Sequence, residues 1–203
     1  RSHLERLLVA AKDSEELSDL KFLIDGTLKL YRKNTSLSTE SLTDKLTSLL
    51  NRRGYYNSVK PLLSLAERNR TMVGVLVCDI DNFKSINDTL GHDAGDKALI
   101  SAAKIISKSL RKSDVCCRHG GEEFVVFLHV NDKTSLLKAA ERIRTSMERN
   151  CRASDGRTIT ISIGGKTGFV SGNTDVFLNE ITKEADANLY KAKKQGKNKS
   201  ALS

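Results

Sequence analysis

Residues 71–96 read TMVGVLVCDIDNFKSINDTLGHDAGD. The first eight are almost continuously apolar, as expected of a central strand covered on both faces. That strand runs straight into Asp79 and Asp81. A carboxylate at the C-terminal end of a strand sits at the rim of a sheet, where ligands bind in α/β folds. Two acids two residues apart can hold a hard, oxygen-preferring cation such as Mg²⁺. Taken alone, a D-x-D pair more often marks solvated loop acids capping the next helix.

Outward from this stretch, helix and strand patterns alternate. Upstream, Asp44-Lys-Leu-Thr47 leads to Asn51-Arg-Arg53 and a helix predicted to run to about Arg70. Pro61 lies inside it and predicts a kink or an early break, because proline lacks an N–H and crowds the preceding turn. Downstream, Leu99, Ala103, Ile106 and Leu110 recur at helical spacing, as do Leu136, Ala140, Ile143 and Met147, and then Ile181, Ala185 and Leu189. Val115–Arg118 and Phe124–Leu128 read as strands around a tight Gly120-Gly121 turn. Ile159, Ile161 and Ile163 alternate with Thr158, Thr160 and Ser162, the pattern of a half-buried strand. Strands separated by helices argue for a two- or three-layer α/β domain.

The first forty residues read differently. Asp13 to Glu16 fits a capping box, followed by Leu17, Leu20, Ile24 and Tyr31 at helical spacing; Leu4, Leu7 and Leu8 form a shorter stripe before it. A single apolar stripe with nothing local to cover it implies a helical hairpin or dimerising stalk. Asn34 to Thr43 is polar and reads as a linker. The expected division is a helical stalk over 1–40 and a catalytic domain over 41–203.

The chain has 203 residues, 38% apolar and 29% charged, with a formal charge of +9. Such a balance attracts phosphate-rich partners without naming one. The five lysines from Lys191 to Lys199 alone suit a solvated helix end. A nucleic-acid-binding module is disfavoured: there is no Trp and aromatics are 5%, so stacking platforms are scarce. No run approaches the ~18–20 apolar residues of a membrane span, and no membrane contact is expected of these residues. The start, Arg1-Ser-His-Leu4, lacks both Met and a signal-peptide core. The expectation is the C-terminal part of a longer protein whose sensor lies upstream. Cys78, Cys116, Cys117 and Cys151 form no C-x-x-C pair and read as reduced thiols in a cytoplasmic protein, or in the cytoplasmic part of a sensor.

The second chemical signal is Gly120-Gly-Glu-Glu-Phe124. Two glycines permit a sharp turn and close approach of a phosphate to the backbone; two acids follow, then an apolar strand. In isolation this is an ordinary soluble hairpin tip. Together with the D-x-D strand end and the Gly91-His-x-x-Gly-Asp96 segment, it resembles the GGDEF family of diguanylate cyclases. The resemblance covers about residues 44–200, including Asp44-Lys-Leu-Thr47, Asn51-Arg-Arg53 and the closing Ala185-Asp-x-x-Leu-Tyr-x-Ala-Lys193.

The resemblance implies a palm-like α/β (α+β) fold with a central, mostly antiparallel sheet flanked by helices, similar to nucleotidyl cyclases. It implies that Asp79 and the backbone carbonyl of Ile80 bind a divalent metal, Mg²⁺ with Mn²⁺ as the alternative. Glu122, the third signature residue, binds the same metal and is assigned as proton acceptor. Glu123 matches the fourth, acidic position, also needed for activity. Asn87 and Asp96 match residues that read guanine; a carboxylate can accept from N1–H and the exocyclic amine. Asp96, where variants making mixed cyclic GMP–AMP carry Ser, implies a GTP-only enzyme. His92 matches a residue beside the substrate, or equally a structural hydrogen bond holding the Gly91–Asp96 loop. Lys84 and Lys193 match phosphate contacts, as does Lys197, where the family generally has Arg; Lys keeps the charge but loses the two-point fork. Glu122 stands where Asp is commoner.

Arg111-Lys-Ser-Asp114 ends six residues before Gly120, the R-x-x-D spacing of the family's product-inhibition site. Without the resemblance it is a helix-end Arg with a turn Asp. The implied reaction joins two GTP across a homodimer, because the product is two-fold symmetric. The competing reading is a catalytically silent domain that binds GTP or cyclic di-GMP. Such domains usually lose signature acids, and Asp79, Glu122 and Glu123 are all present.

Overall fold

The computed structural model describes residues 21–29 and 42–203. The chain divides into two units, Arg1–Ser41 and Leu42–Ser203. Of the first, residues 21–29 are helical. The capping box at Asp13–Glu16, the apolar positions Leu4, Leu7, Leu8, Leu17, Leu20 and Tyr31, and most of the expected linker lie outside the described residues. Thr43, placed in that linker by its polarity, instead bridges Leu50 within the second unit.

The second unit is a five-stranded sheet in the order β2-β3-β1-β4-β5. Its strands are β1 (Met72–Ile80), β2 (Val115–Gly120), β3 (Glu123–His129), β4 (Ile161–Phe169) and β5 (Ser200–Leu202). Three pairings are antiparallel; β5 joins β4 in parallel. The helices are α1 (Arg52–Asn69), α2 (Phe83–Leu90), α3 (His92–Lys108), α4 (Lys133–Asn150) and α5 (Thr174–Lys194). This is the mostly antiparallel, helix-flanked α/β architecture expected. Among the described residues no helix is long and apolar enough to cross a membrane.

Strand parity explains the layers. Successive side chains of a strand point to opposite faces. On β1, Leu76, Cys78 and Ile80 enter a core with Phe83, Leu99, Ile106, Leu136 and Ile143, from α2, α3 and α4. Val73, Val75 and Val77 enter a second core with Tyr55, Val59 and Leu63 of α1 and Ile181 and Leu189 of α5. Both faces of β1 are therefore covered, which is why its sequence is apolar without alternation. Cys116 and Cys117 split the same way, Cys117 into the second core and Cys116 against the first. All four thiols are free.

Three expectations change. Helix α1 runs unbroken through Pro61, whose ring faces solvent, while buried Tyr55, Val59, Leu63 and Ala66 hold both halves to the sheet. The strand read from Ile159 starts at Ile161 and continues to Phe169. Its Ser162 is fully buried rather than exposed, because its hydroxyl donates to Asp81 at 2.6 Å and a satisfied polar group tolerates burial. The segment from Gly91 to Asp96 is not a loop. Gly91, at φ 82°, alone separates α2 from α3, so Gly95 and Asp96 lie in the first turns of α3.

Candidate active site

The site forms where β1 ends. Parity places Asp79 on the same face as Val73, Val75 and Val77, toward α5, yet it is only 6% exposed. On the neighbouring strand Glu123 is its direct register partner, and the Ile80 N–H donates to the Glu122 carbonyl at 3.4 Å. Lys193, in the last turn of α5, sits with its Nζ 2.8 Å from Asp79 Oδ2. Burial pushes the Asp79 carboxyl above the usual carboxylate range; Lys193 pulls it down without cancelling that, and the charges of Glu122 and Glu123 push it up further. Crowded acids at a dry strand end of this kind favour a cation among them.

No group of three His, Cys, Asp or Glu side chains stands close enough to hold a metal ion among the described residues. What meets at this strand end is the Asp79 carboxylate under the charges of Glu122 and Glu123. Hard oxygen donors of this type suit Mg²⁺, which keeps several waters and takes only one or two carboxylates. The Lys193 ammonium against Asp79 shows that the carboxylate already accepts a positive partner.

The hairpin carrying Glu122 and Glu123 is pinned from outside the sheet. Gly121 has φ 50°, in the left-handed region where glycine carries no Cβ penalty. Its carbonyl accepts from Arg118 Nε at 2.9 Å, and Arg118 Nη1 reaches both Asp44 oxygens at 3.2 Å. Asp44 also accepts from the Thr47 backbone and hydroxyl, at 2.8 and 2.6 Å. Burial pushes the Asp44 carboxyl up, but these hydrogen bonds outweigh it and hold the group below its usual range. The Asp44-Lys-Leu-Thr47 turn thus braces the signature hairpin through Arg118, a residue to which the sequence reading attached no role.

Asn87 and Asp96 come from α2 and α3. Asn87 is half-buried and Asp96 exposed. Gly95, next to Asp96 in the chain, lets the Asn87 side chain lie against α3: a Cβ there would lie 1.9 Å from Asn87 Oδ1. Lys84, in the first turn of α2, and His92, at the start of α3, both face solvent.

The second acid of the D-x-D pair does not join the first. Asp81 is 4% exposed. Its Oδ1 accepts from Ser162 at 2.6 Å, and its Oδ2 from Thr160 at 2.8 Å and from the Asn198 backbone at 3.0 Å. Asp81 thus fits neither reading of the D-x-D pair, a cation site shared with Asp79 or a solvated loop acid: past the end of β1 the chain turns, and its carboxylate is enclosed by donors from Thr160, Ser162 and Asn198. Lys197 Nζ meanwhile donates to Asn82 Oδ1.

The family model described as "Diguanylate cyclase, GGDEF domain" matches residues 41–199. The chain belongs to the GGDEF family. DosC, a diguanylate cyclase of Escherichia coli (strain K12), is 36% identical over 160 residues, 78% of this chain and 34% of DosC. The coiled coil and GGDEF domain of DgcB from Caulobacter crescentus, solved in complex with c-di-GMP, gives a TM-score of 0.76 at 27% identity, covering 92% of this chain and 100% of that one. The active GGEEF domain of a diguanylate cyclase from Vibrio cholerae gives 0.69 at 32% identity, covering 76% and 97%. The chain spans about a third of the length of DosC.

A second feature of this GGDEF domain lies away from the strand end. Arg111 and Asp114 close a β-turn: the Asp114 N–H donates to the Arg111 carbonyl at 3.0 Å, and the Arg111 N–H to Asp114 Oδ2 at 2.8 Å. The turn borders a polar cavity of about 260 Å³ that also holds His129, Ser135, Lys138 and Arg142. Arg142 is anchored by its Nε to the Ser109 carbonyl at 2.6 Å. Three cationic side chains against one carboxylate suit a phosphate-bearing ligand. Lys138 and Arg142 went unread in the sequence; their i, i+4 spacing on α4 places them on one helix face, but only the fold brings that face to Arg111.

Proposed function

We propose that this GGDEF domain is a diguanylate cyclase that condenses two GTP into cyclic di-GMP and two pyrophosphates. The observation that carries this reading is Asp79, buried at the end of β1 with Glu123 opposite, the charges of Glu122 and Glu123 on it, and the Lys193 ammonium against it. DosC and the Vibrio cholerae relative are both named as diguanylate cyclases.

In this reading Asn87 and Asp96 bind the guanine edge, with His92 beside it. Lys84, Lys193 and Lys197 receive the triphosphate, Lys193 by leaving Asp79. Asp79, Glu122 and the Ile80 carbonyl would hold Mg²⁺, which when bound supplies charge neutralisation on the phosphates and on the attacking oxygen. The 3′-oxygen of one GTP forms a bond to the α-phosphorus of the other, the bond to pyrophosphate breaks, and Glu122 accepts the hydroxyl proton; a second turn closes the ring. Glu123 supports the negative rim at the register position facing Asp79. One domain holds one GTP, so two copies face each other about a two-fold axis, with residues 1–40 raising their effective concentration. Arg111 and Asp114, with the cationic cavity beside them, take the product and restrain the enzyme.

Incubation of the chain with GTP and Mg²⁺ should yield cyclic di-GMP and pyrophosphate, and Glu122→Gln should abolish both while melting as the parent does. Tight GTP binding without turnover would establish the silent-domain reading instead, and full activity in Glu122→Gln would remove that residue from the mechanism.

A further inference from the structure

The segment that follows α5 is strained. Gly196, Lys197 and Asn198 have φ values of 108°, 63° and 45°, three successive residues in a region that side chains other than glycine, and to a degree asparagine, avoid. Such a conformation persists only where its surroundings over-determine it, and here they do. The Asn198 N–H donates to buried Asp81 at 3.0 Å. The Asn198 amide oxygen accepts from Arg144 Nη1 at 3.1 Å, and its nitrogen donates to Glu148 Oε1 at 2.8 Å. Arg144 is itself held by Glu141 at 2.9 Å and Glu148 at 3.1 Å. Asp81 is fixed by Thr160 and Ser162 of the β4 region. The residue thus clamped stands next to Lys197, whose ammonium reaches back to Asn82 at the strand end.

We propose that Asp81 and Asn198 are positioning residues for Lys197. The buried carboxylate latches the strained turn from below, the Arg144–Glu148 pair grips the asparagine amide from α4, and together they aim the lysine at the strand end where a triphosphate would lie. This inference rests on the cyclase reading of the site. It gives the second acid of the D-x-D pair a task distinct from that of Asp79. A lysine reaches this position on a flexible stem with one point charge, so its backbone must be held if the charge is to be delivered there.

The test is a binding cycle on the full chain, using calorimetry with Mg²⁺ and a GTP analogue whose α,β-bridging oxygen is replaced by methylene. Asn198→Gly suits the test because glycine accepts the positive φ, keeps the N–H that Asp81 accepts, and removes only the amide grip of Arg144 and Glu148. Lys197→Met should weaken binding by about tenfold, the order expected for one charge-assisted contact. Asn198→Gly should weaken it by a similar factor, and the double variant no further, as for two residues acting through one contact. Arg144→Met, which loosens the grip without touching the turn, should give a smaller loss in the same direction. Thermal melting establishes that each variant is folded. Asn198→Gly that melts earlier yet binds as the parent does, or losses that multiply in the double variant, would overturn the latch alone. A parent chain that fails to bind the analogue would overturn the cyclase reading and the latch with it.

Discussion

Gly95→Ala separates fold from recognition at the guanine end of the site. The added Cβ would stand 1.9 Å from Asn87 Oδ1 and 3.0 Å from its Cγ, with Phe83 Cζ at 3.2 Å. Carbon and oxygen cannot approach that closely, so the amide must retreat by roughly 1 Å or more to reach ordinary contact. The obstructing atom is the end of a rotatable side chain, not backbone, and the cheapest relief is for the Asn87 amide to swing away from Gly95. The helix itself gains, since alanine is favoured over glycine in a helix interior by about 1 kcal/mol. If Asn87 makes one or two hydrogen bonds to guanine, each is worth about 0.5–1.5 kcal/mol, so GTP binding should weaken by roughly 2- to 160-fold. Initial rates of pyrophosphate release against GTP concentration should show this in KM, and Asn87→Ala should match it. The melting temperature of Gly95→Ala should be unchanged or raised. An unaltered KM, or a loss explained by a fall in melting temperature, would refute the reasoning.

Two further outcomes follow from close contacts and burial. At Gly164 an added Cβ would meet the Leu189 backbone nitrogen at 2.0 Å and the Ala185 carbonyl at 2.1 Å; neither can rotate away, so Gly164→Ala should push α5 off β4 at a cost of about 2–3 kcal/mol, lowering the melting temperature by roughly 5 °C or more, and an unchanged melt would show that the helix re-seats freely. His119 is held below the usual imidazole range by burial and then by the Arg52 charge, and its buried Nδ1 has no hydrogen-bond partner; the unfolded chain therefore binds the proton more readily, and stability is lost as pH falls below about 6.5. His119→Phe should flatten the fall in melting temperature between pH 7 and pH 5.5, and parallel curves for the two proteins would contradict this.

The local pattern carried most of the architecture. The apolar run before Asp79, the glycine pair before Glu122 and the helical spacings of α3, α4 and α5 are short-range signals, each dictated by side-chain period and backbone preference. They were enough to place Asp79, Glu122 and Glu123 at strand ends and to carry the family resemblance. Two local readings misled for local reasons. The missing N–H of Pro61 predicts a break, but buried neighbours hold α1 to the sheet and the helix runs on. The six residues from Gly91 read as a loop because glycine marks turns, while a single positive φ at Gly91 suffices to join two helices.

What the sequence by itself determined was which residues have the chemistry: the acids, the lysines, the R-x-x-D turn and the strands that carry them. Only the tertiary structure decided how they divide the work. Asp79 and Asp81 are chemically identical and two residues apart, yet one meets Lys193 and the hairpin acids while the other is enclosed by Thr160, Ser162 and Asn198. Arg118, Arg142 and Arg144 likewise acquire partners from segments distant in the chain. The physical reason is that a carboxylate or guanidinium takes its role from the charges and donors around it, and those arrive across the sheet, from positions that no local periodicity encodes.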